Sequence, residues 1–121
     1  MKIEYEAIGI VRSPFREQEG TPIQPSRSDN AEGTVVIRKD LVECLDDLDG
    51  FSHVILLCHL HKARRFRKKV IPYLDTEPRG LFATRAPSRP NPIGLSVVEL
   101  LGIEGNVLRV RGLDLLDGTP V

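Results

Sequence analysis

Three prolines within six residues constrain this chain more than any other feature. Pro87, Pro90 and Pro92 sit inside Arg79-Gly-Leu-Phe-Ala-Thr-Arg-Ala-Pro-Ser-Arg-Pro-Asn-Pro-Ile-Gly-Leu95. Each ring fixes its own φ, removes an amide donor and pushes the preceding residue towards extended backbone, so no helix can run from Ala86 to Ile93. Gly80 and Gly94 bracket the stretch where backbone can approach closely, and Arg79, Arg85, Arg89 and Asn91 supply forked donors and an amide. A pre-ordered loop of this kind suits a polar small molecule. The plainer alternative is a solvated connection between strands over Gly80–Arg85 and Leu95–Leu101. Long irregular segments inside compact domains are usually functional or disordered, and the proline density argues against simple disorder.

The rest of the chain reads as short strands joined by turns. Lys2 to Val11 alternates loosely and ends at Ser13-Pro14. A turn-rich loop of about twenty residues follows, with Gly20, Pro22, Pro25 and Asn30 in it. Gly33 to Lys39 is β-branched and forms a second strand. Asp40 then opens a short helix, with Glu43 reaching back in a capping box, Leu41, Cys44, Leu45 and Leu48 at helical spacing, and Gly50 stopping it in the left-handed region. Phe51 to His61 is nearly all apolar and reads as the most central strand. Leu95 to Gly102 and Asn106 to Gly112 form a hairpin about Glu104-Gly105-Asn106. The pattern predicts a mainly β fold: one domain over residues 1–121, a small antiparallel, partly open β-barrel with one short helix and long functional loops. No Gly-x-Gly-x-x-Gly or βαβ alternation is present, which excludes a Rossmann cofactor site.

Formal net charge is zero, yet Lys62 to Arg89 carries nine basic residues against Asp75 and Glu77. That local excess points to one polyanion-binding face. Arg64, Arg65, Arg67, Lys68 and Lys69 are the candidate RNA contacts, with Phe66 and Tyr73 available for base stacking. Cys44 and Cys58 are too few for a disulfide scaffold and too far apart for a metal knuckle, so both are expected as core thiols in a reducing cytoplasm. His59 and His61 share one face of an extended strand, but two ligands fall short of a zinc site, and no metal is expected. No run of apolar residues is long enough to span a membrane.

Four blocks together carry a resemblance: Ile8-Gly-Ile-Val-Arg-Ser-Pro-Phe15, Gly50-Phe-Ser-His53, Phe82-Ala-Thr-Arg-Ala-Pro-Ser-Arg-Pro-Asn-Pro-Ile-Gly-Leu-Ser96 and Leu113-Asp-Leu-Leu-Asp-Gly-Thr-Pro-Val121. In this order they resemble the TsaA/TrmO (YaeB-like) family of S-adenosylmethionine-dependent tRNA methyltransferases. The resemblance implies a dimeric β-barrel that methylates N6 of threonylcarbamoyl-adenosine beside the anticodon of tRNA. It also implies that S-adenosylmethionine is held by Ile23, Gln24 and Pro25, by His61 and Lys62, by Arg85 and Leu95, and by Leu115, Leu116, Asp117 and Gly118. Asp114 and Asp117 both stand as candidate acceptors of the N6 proton. Family members continue past the last block with a further strand and often an appended region, whereas the sequence read here stops at Val121. Methyl transfer is an in-line displacement that needs alignment more than a nucleophile, which fits a chain without a convincing Ser/His/Asp or Cys/His set. A non-catalytic module that binds RNA or senses S-adenosylmethionine is the competing expectation.

Overall fold

The computed structural model describes residues 1–16 and 31–121. Seven strands form among them: β1 (Gly9–Arg12), β2 (Glu32–Ile37), β3 (His53–His59), β4 (Lys69–Val70), β5 (Arg79–Gly80), β6 (Ile93–Glu104) and β7 (Val107–Arg111). Five make one antiparallel sheet in the order β1-β2-β7-β6-β3, and β4 and β5 make a separate two-stranded ribbon. Alternation puts one side of each strand inside. Val11, Val35, Ile37, Leu56, Cys58, Val98, Leu108 and Val110 build the core, completed by Leu113 and Leu115 from the segment after β7.

The sheet curls because β6 serves two partners in succession. Ile93–Glu99 pairs with β3 and Glu99–Glu104 with β7, and the β7 register slips between Leu100 and Gly102. Such a bulge bends its strand and increases its twist. The two sheet edges are then joined through the C-terminal residues. Gly118 N–H donates to Val11 O (2.8 Å), Val11 N–H to Thr119 O (2.9 Å) and Val121 N–H to Gly9 O (3.0 Å), all on β1. His59 N–H, at the end of β3, donates to Pro120 O (2.8 Å). The result is the partly open barrel expected from the strand pattern.

Four local expectations change. The first strand begins only at Gly9, whose ladder partner is Ile37, the last residue of β2; Ile3 and Tyr5 lie beyond any ladder and are exposed. The short helix is present but as 3-10 turns over Lys39–Leu45 and Leu48–Gly50. Asp40 does not cap it: its carboxylate accepts from Arg38 (Nη2–Oδ2 2.7 Å), which holds the carboxyl below its ordinary range. The left-handed residue is Asp47 (φ 68°), not Gly50, and Cys44 is exposed while Leu41, Leu45 and Leu48 meet the core. Phe51 to His61 yields an edge strand, not the central one. Leu56 and Cys58 point inward, but Ile55 and Leu57 on the other face are 63% and 62% exposed. A strand over Gly80–Arg85 is replaced by the two residues of β5 and a 3-10 turn at Leu81–Ala83.

Gly33 shows how tightly the β1–β2 corner is packed, since a Cβ there would overlap Arg12 O and Leu113 Cδ1. Gly33→Ala is therefore expected to cost about 1–3 kcal/mol by overpacking. Urea unfolding would read this as a lower midpoint at unchanged slope; an unaltered midpoint would show that the corner yields freely.

Candidate functional site

Three segments meet at the end of β3 and the start of β6. The first is the turn after His59, where Leu60 N–H donates to Pro92 O (2.7 Å) and Ala63 N–H to Leu60 O (2.9 Å). Gly94 permits this approach, since a Cβ there would lie 2.9 Å from Cys58 Sγ and 3.1 Å from Leu60 Cδ2. The second is the proline loop. Arg89 Nη1 donates to Thr84 O (2.9 Å) and Ala86 O (3.1 Å), Arg64 N–H donates to Ser88 Oγ (2.9 Å), and Arg85 Nη2 donates to Leu95 O (2.8 Å). The third is Leu113–Thr119, tied to the turn after β1. Ser13 Oγ donates to Leu115 O (2.6 Å), Ser13 N–H to Asp117 Oδ1 (3.1 Å), and Asp117 N–H to Phe15 O (2.6 Å).

Between these walls lies an open cleft of about 570 Å³, within the range of small-molecule sites. His61, Lys62, Arg85, Leu95, Leu115 and Leu116 all line it. Asp117 and Gly118 do not belong to its lining. Asp117 faces Arg12 (3.7 Å) and Arg16 (4.0 Å), and Gly118 uses a left-handed φ of 84° to return the chain to β1. Ile23, Gln24 and Pro25 lie outside the described residues.

The cleft is electrically divided. Arg85, Lys62 and Arg89 offer positive charge, and Asp114 offers a carboxylate that accepts from Ser96 Oγ (2.7 Å). Ser96 is buried, so this bond fixes one carboxylate oxygen from below. Desolvation, then Lys62 and His59, draw the His61 pKa below its ordinary value, which leaves the imidazole neutral at pH 7. Burial pushes the Cys58 thiol up and keeps it protonated under the cleft floor. The strand ends at His59 and His61 is carried by the turn beyond it, so the two histidines do not share a strand face. Among the described residues, no three His, Cys, Asp or Glu side chains gather at metal-binding distance.

Ser96 and Thr119 are lining residues that sequence reasoning missed. The signal for Ser96 was its parity: it shares the inward side of β6 with Gly94 and Val98, where a lone hydroxyl needs a partner. Beyond the cleft, Arg64, Arg65, Arg67, Lys68 and Lys69 are all exposed, and none pairs with a carboxylate among the described residues. Arg79 differs, since Asp75 (3.0 Å) and Glu77 (3.7 Å) neutralise it.

Residues 10–121 match the tRNA-methyltransferase O N-terminal domain family. A probable S-adenosyl-L-methionine-binding protein of Methanothermobacter thermautotrophicus is 46% identical over 121 residues, covering 100% of this chain and 87% of that protein. A similarly named protein of Pyrococcus abyssi is 50% identical over all of this chain and 66% of its own length. The tRNA (adenine(37)-N6)-methyltransferase of Escherichia coli is 38% identical over 128 residues, covering 98% of this chain and 54% of that one. A crystal structure of TrmO from Pseudomonas aeruginosa superposes with a TM-score of 0.80 at 42% identity, over 100% of this chain and 52% of that chain. The chain thus spans about half the length of the bacterial proteins it matches.

Proposed function

For a chain that belongs to the family of the tRNA-methyltransferase O N-terminal domain, we propose S-adenosylmethionine-dependent methylation of N6 in threonylcarbamoyl-adenosine beside the anticodon of tRNA. The observation that carries this reading is the convergence of the 61–62 turn, the proline loop and the 113–119 segment on one cleft with opposed charges. The residues present fit the donor. Arg85 can engage a carboxylate by its fork, Leu115 and Leu116 offer apolar surface, and Asp114 suits a cationic group. When bound, the donor supplies an electrophilic methyl on a sulfonium.

The protein's part is alignment, which in favourable systems is worth roughly 7–11 kcal/mol. Asp114 and Asp117, equivalent by sequence, separate by environment. Asp117 is engaged by Ser13 and faces Arg12 and Arg16, whereas Asp114 lines the cleft. Asp114 would accept the N6 proton released on methylation of an adenosine held in the cleft. The exposed basic run from Arg64 to Lys69 continues from the cleft and contacts phosphates of the tRNA. A second reading, a module that binds S-adenosylmethionine without transferring methyl, is favoured by the names of the archaeal relatives. Radiolabel appearing in tRNA, with methyl-modified threonylcarbamoyl-adenosine among the digested nucleosides, supports the enzyme; cofactor binding without label in RNA supports the module.

The working protein is proposed to be a cytoplasmic homodimer. Its support is an uncovered apolar face on the β3–β6 pair, where Ile55 lies opposite Val97 and Leu57 opposite Leu95, all exposed. No helix of the described residues is long and apolar enough to cross a membrane. Sedimentation over a concentration series should show a dimer that Leu57→Glu dissociates. A monomer with full cofactor affinity and full methyl transfer would end the idea.

A further inference from the structure

The β4–β5 ribbon brings one aromatic ring beside the basic run that the linear sequence separates from it. Lys69 pairs with Gly80, and Leu81 N–H donates to Lys68 O (2.9 Å), so Phe82 follows directly from the rung that ends the basic run. Phe82 is 80% exposed. Arg89 lies over one face of its ring, with the guanidinium carbon 5.8 Å from the ring centroid. That guanidinium is fixed by its bonds to Thr84 O and Ala86 O, and Arg89 also lines the cleft. A large aromatic ring, backed by an anchored cation and open on its other face, costs free energy in water unless something covers it. Its surroundings select the occupant. Lys68, Lys69 and Arg67 are exposed and lack carboxylate partners among the described residues, so the covering group belongs to a polyanion. Unpaired bases of single-stranded RNA stack on such rings.

We propose that Phe82 is a stacking platform for a nucleobase adjacent to the methylated adenosine, and thus a positioning residue between the cleft and the basic run. The proposal rests on the tRNA reading above. A base held against the open face of Phe82 lies across the ring from Arg89, which also lines the cleft wall, and the neighbouring nucleotide is directed towards the cleft while Lys68 and Lys69 hold backbone phosphates. Stacking neutralises no phosphate, so Phe82 and the basic run contribute to binding through separable effects.

The test uses a fluorescent anticodon stem-loop, with the wild-type chain, Phe82→Ala and Phe82→Trp titrated at several salt concentrations. Loss of one stacked base should weaken binding roughly 5- to 150-fold in Phe82→Ala. The salt slope and S-adenosylmethionine affinity should stay unchanged, and Phe82→Trp should restore binding. Equal RNA affinity in wild type and Phe82→Ala would overturn the proposal while leaving the tRNA reading intact. A wild-type protein that does not bind the stem-loop would overturn both. Sedimentation of the same variants supplies the remaining outcome: altered self-association with unchanged RNA affinity would assign the ring to a contact between copies and overturn its role in RNA.

Discussion

Arg85→Ala is expected to weaken S-adenosylmethionine binding by about 1.5–3 kcal/mol, the range for losing a hydrogen bond to a charged group. Arg85 lines the cleft with one donor committed to Leu95 O (2.8 Å), which orients the guanidinium and leaves further N–H groups for a ligand carboxylate. Arg85→Lys should recover only part of the loss, because an ammonium keeps the charge but not the fork. The fold should persist in both variants, since Arg85 is exposed and packs no core position. Calorimetry that returned wild-type affinity for Arg85→Ala would remove this residue from the site.

The second large effect concerns RNA alone. Replacing Arg64, Arg65, Arg67, Lys68 and Lys69 together with alanine should abolish most tRNA affinity while S-adenosylmethionine still binds. If all five residues contact phosphates, the log–log salt slope should fall by approximately 0.7–0.9 per contact. Over the decade from 1 M to 0.1 M salt, five such contacts amount to at most on the order of 10⁴-fold in affinity. These side chains are exposed and make no ion pair among the described residues, so their removal should not disturb the barrel. Equal affinity and equal slope in both proteins would assign the run to solvent.

The legible parts of this molecule were those fixed by local chemistry. Proline geometry kept helix out of Ala86 to Ile93, and the structure has none between the Leu81–Ala83 turn and the start of β6 at Ile93. The β-branched run before Lys39 and the turn at Gly105 located β2 and the β6–β7 hairpin. The illegible parts depended on distant neighbours. Nothing in Phe51 to His61 reveals that only one side of β3 has a partner strand, so its two-sided apolar run reads as a central strand. Spacing alone could not separate Asp114 from Asp117, because the difference comes from Ser96 and Ser13, 18 and 104 residues away along the chain. Phe82 likewise gained meaning only when Leu81 N–H met Lys68 O.

Methyl transfer requires the cleft to bring a methyl donor and tRNA together. The direct measurement incubates the protein with S-adenosylmethionine labelled in its methyl group and with tRNA bearing or lacking the threonylcarbamoyl group, in parallel with Asp114→Asn. Label should enter only the threonylcarbamoylated tRNA, at N6 of the modified adenosine, and Asp114→Asn should slow transfer while leaving tRNA affinity unchanged. Saturated cofactor binding and saturated tRNA binding without any transferred label would contradict it.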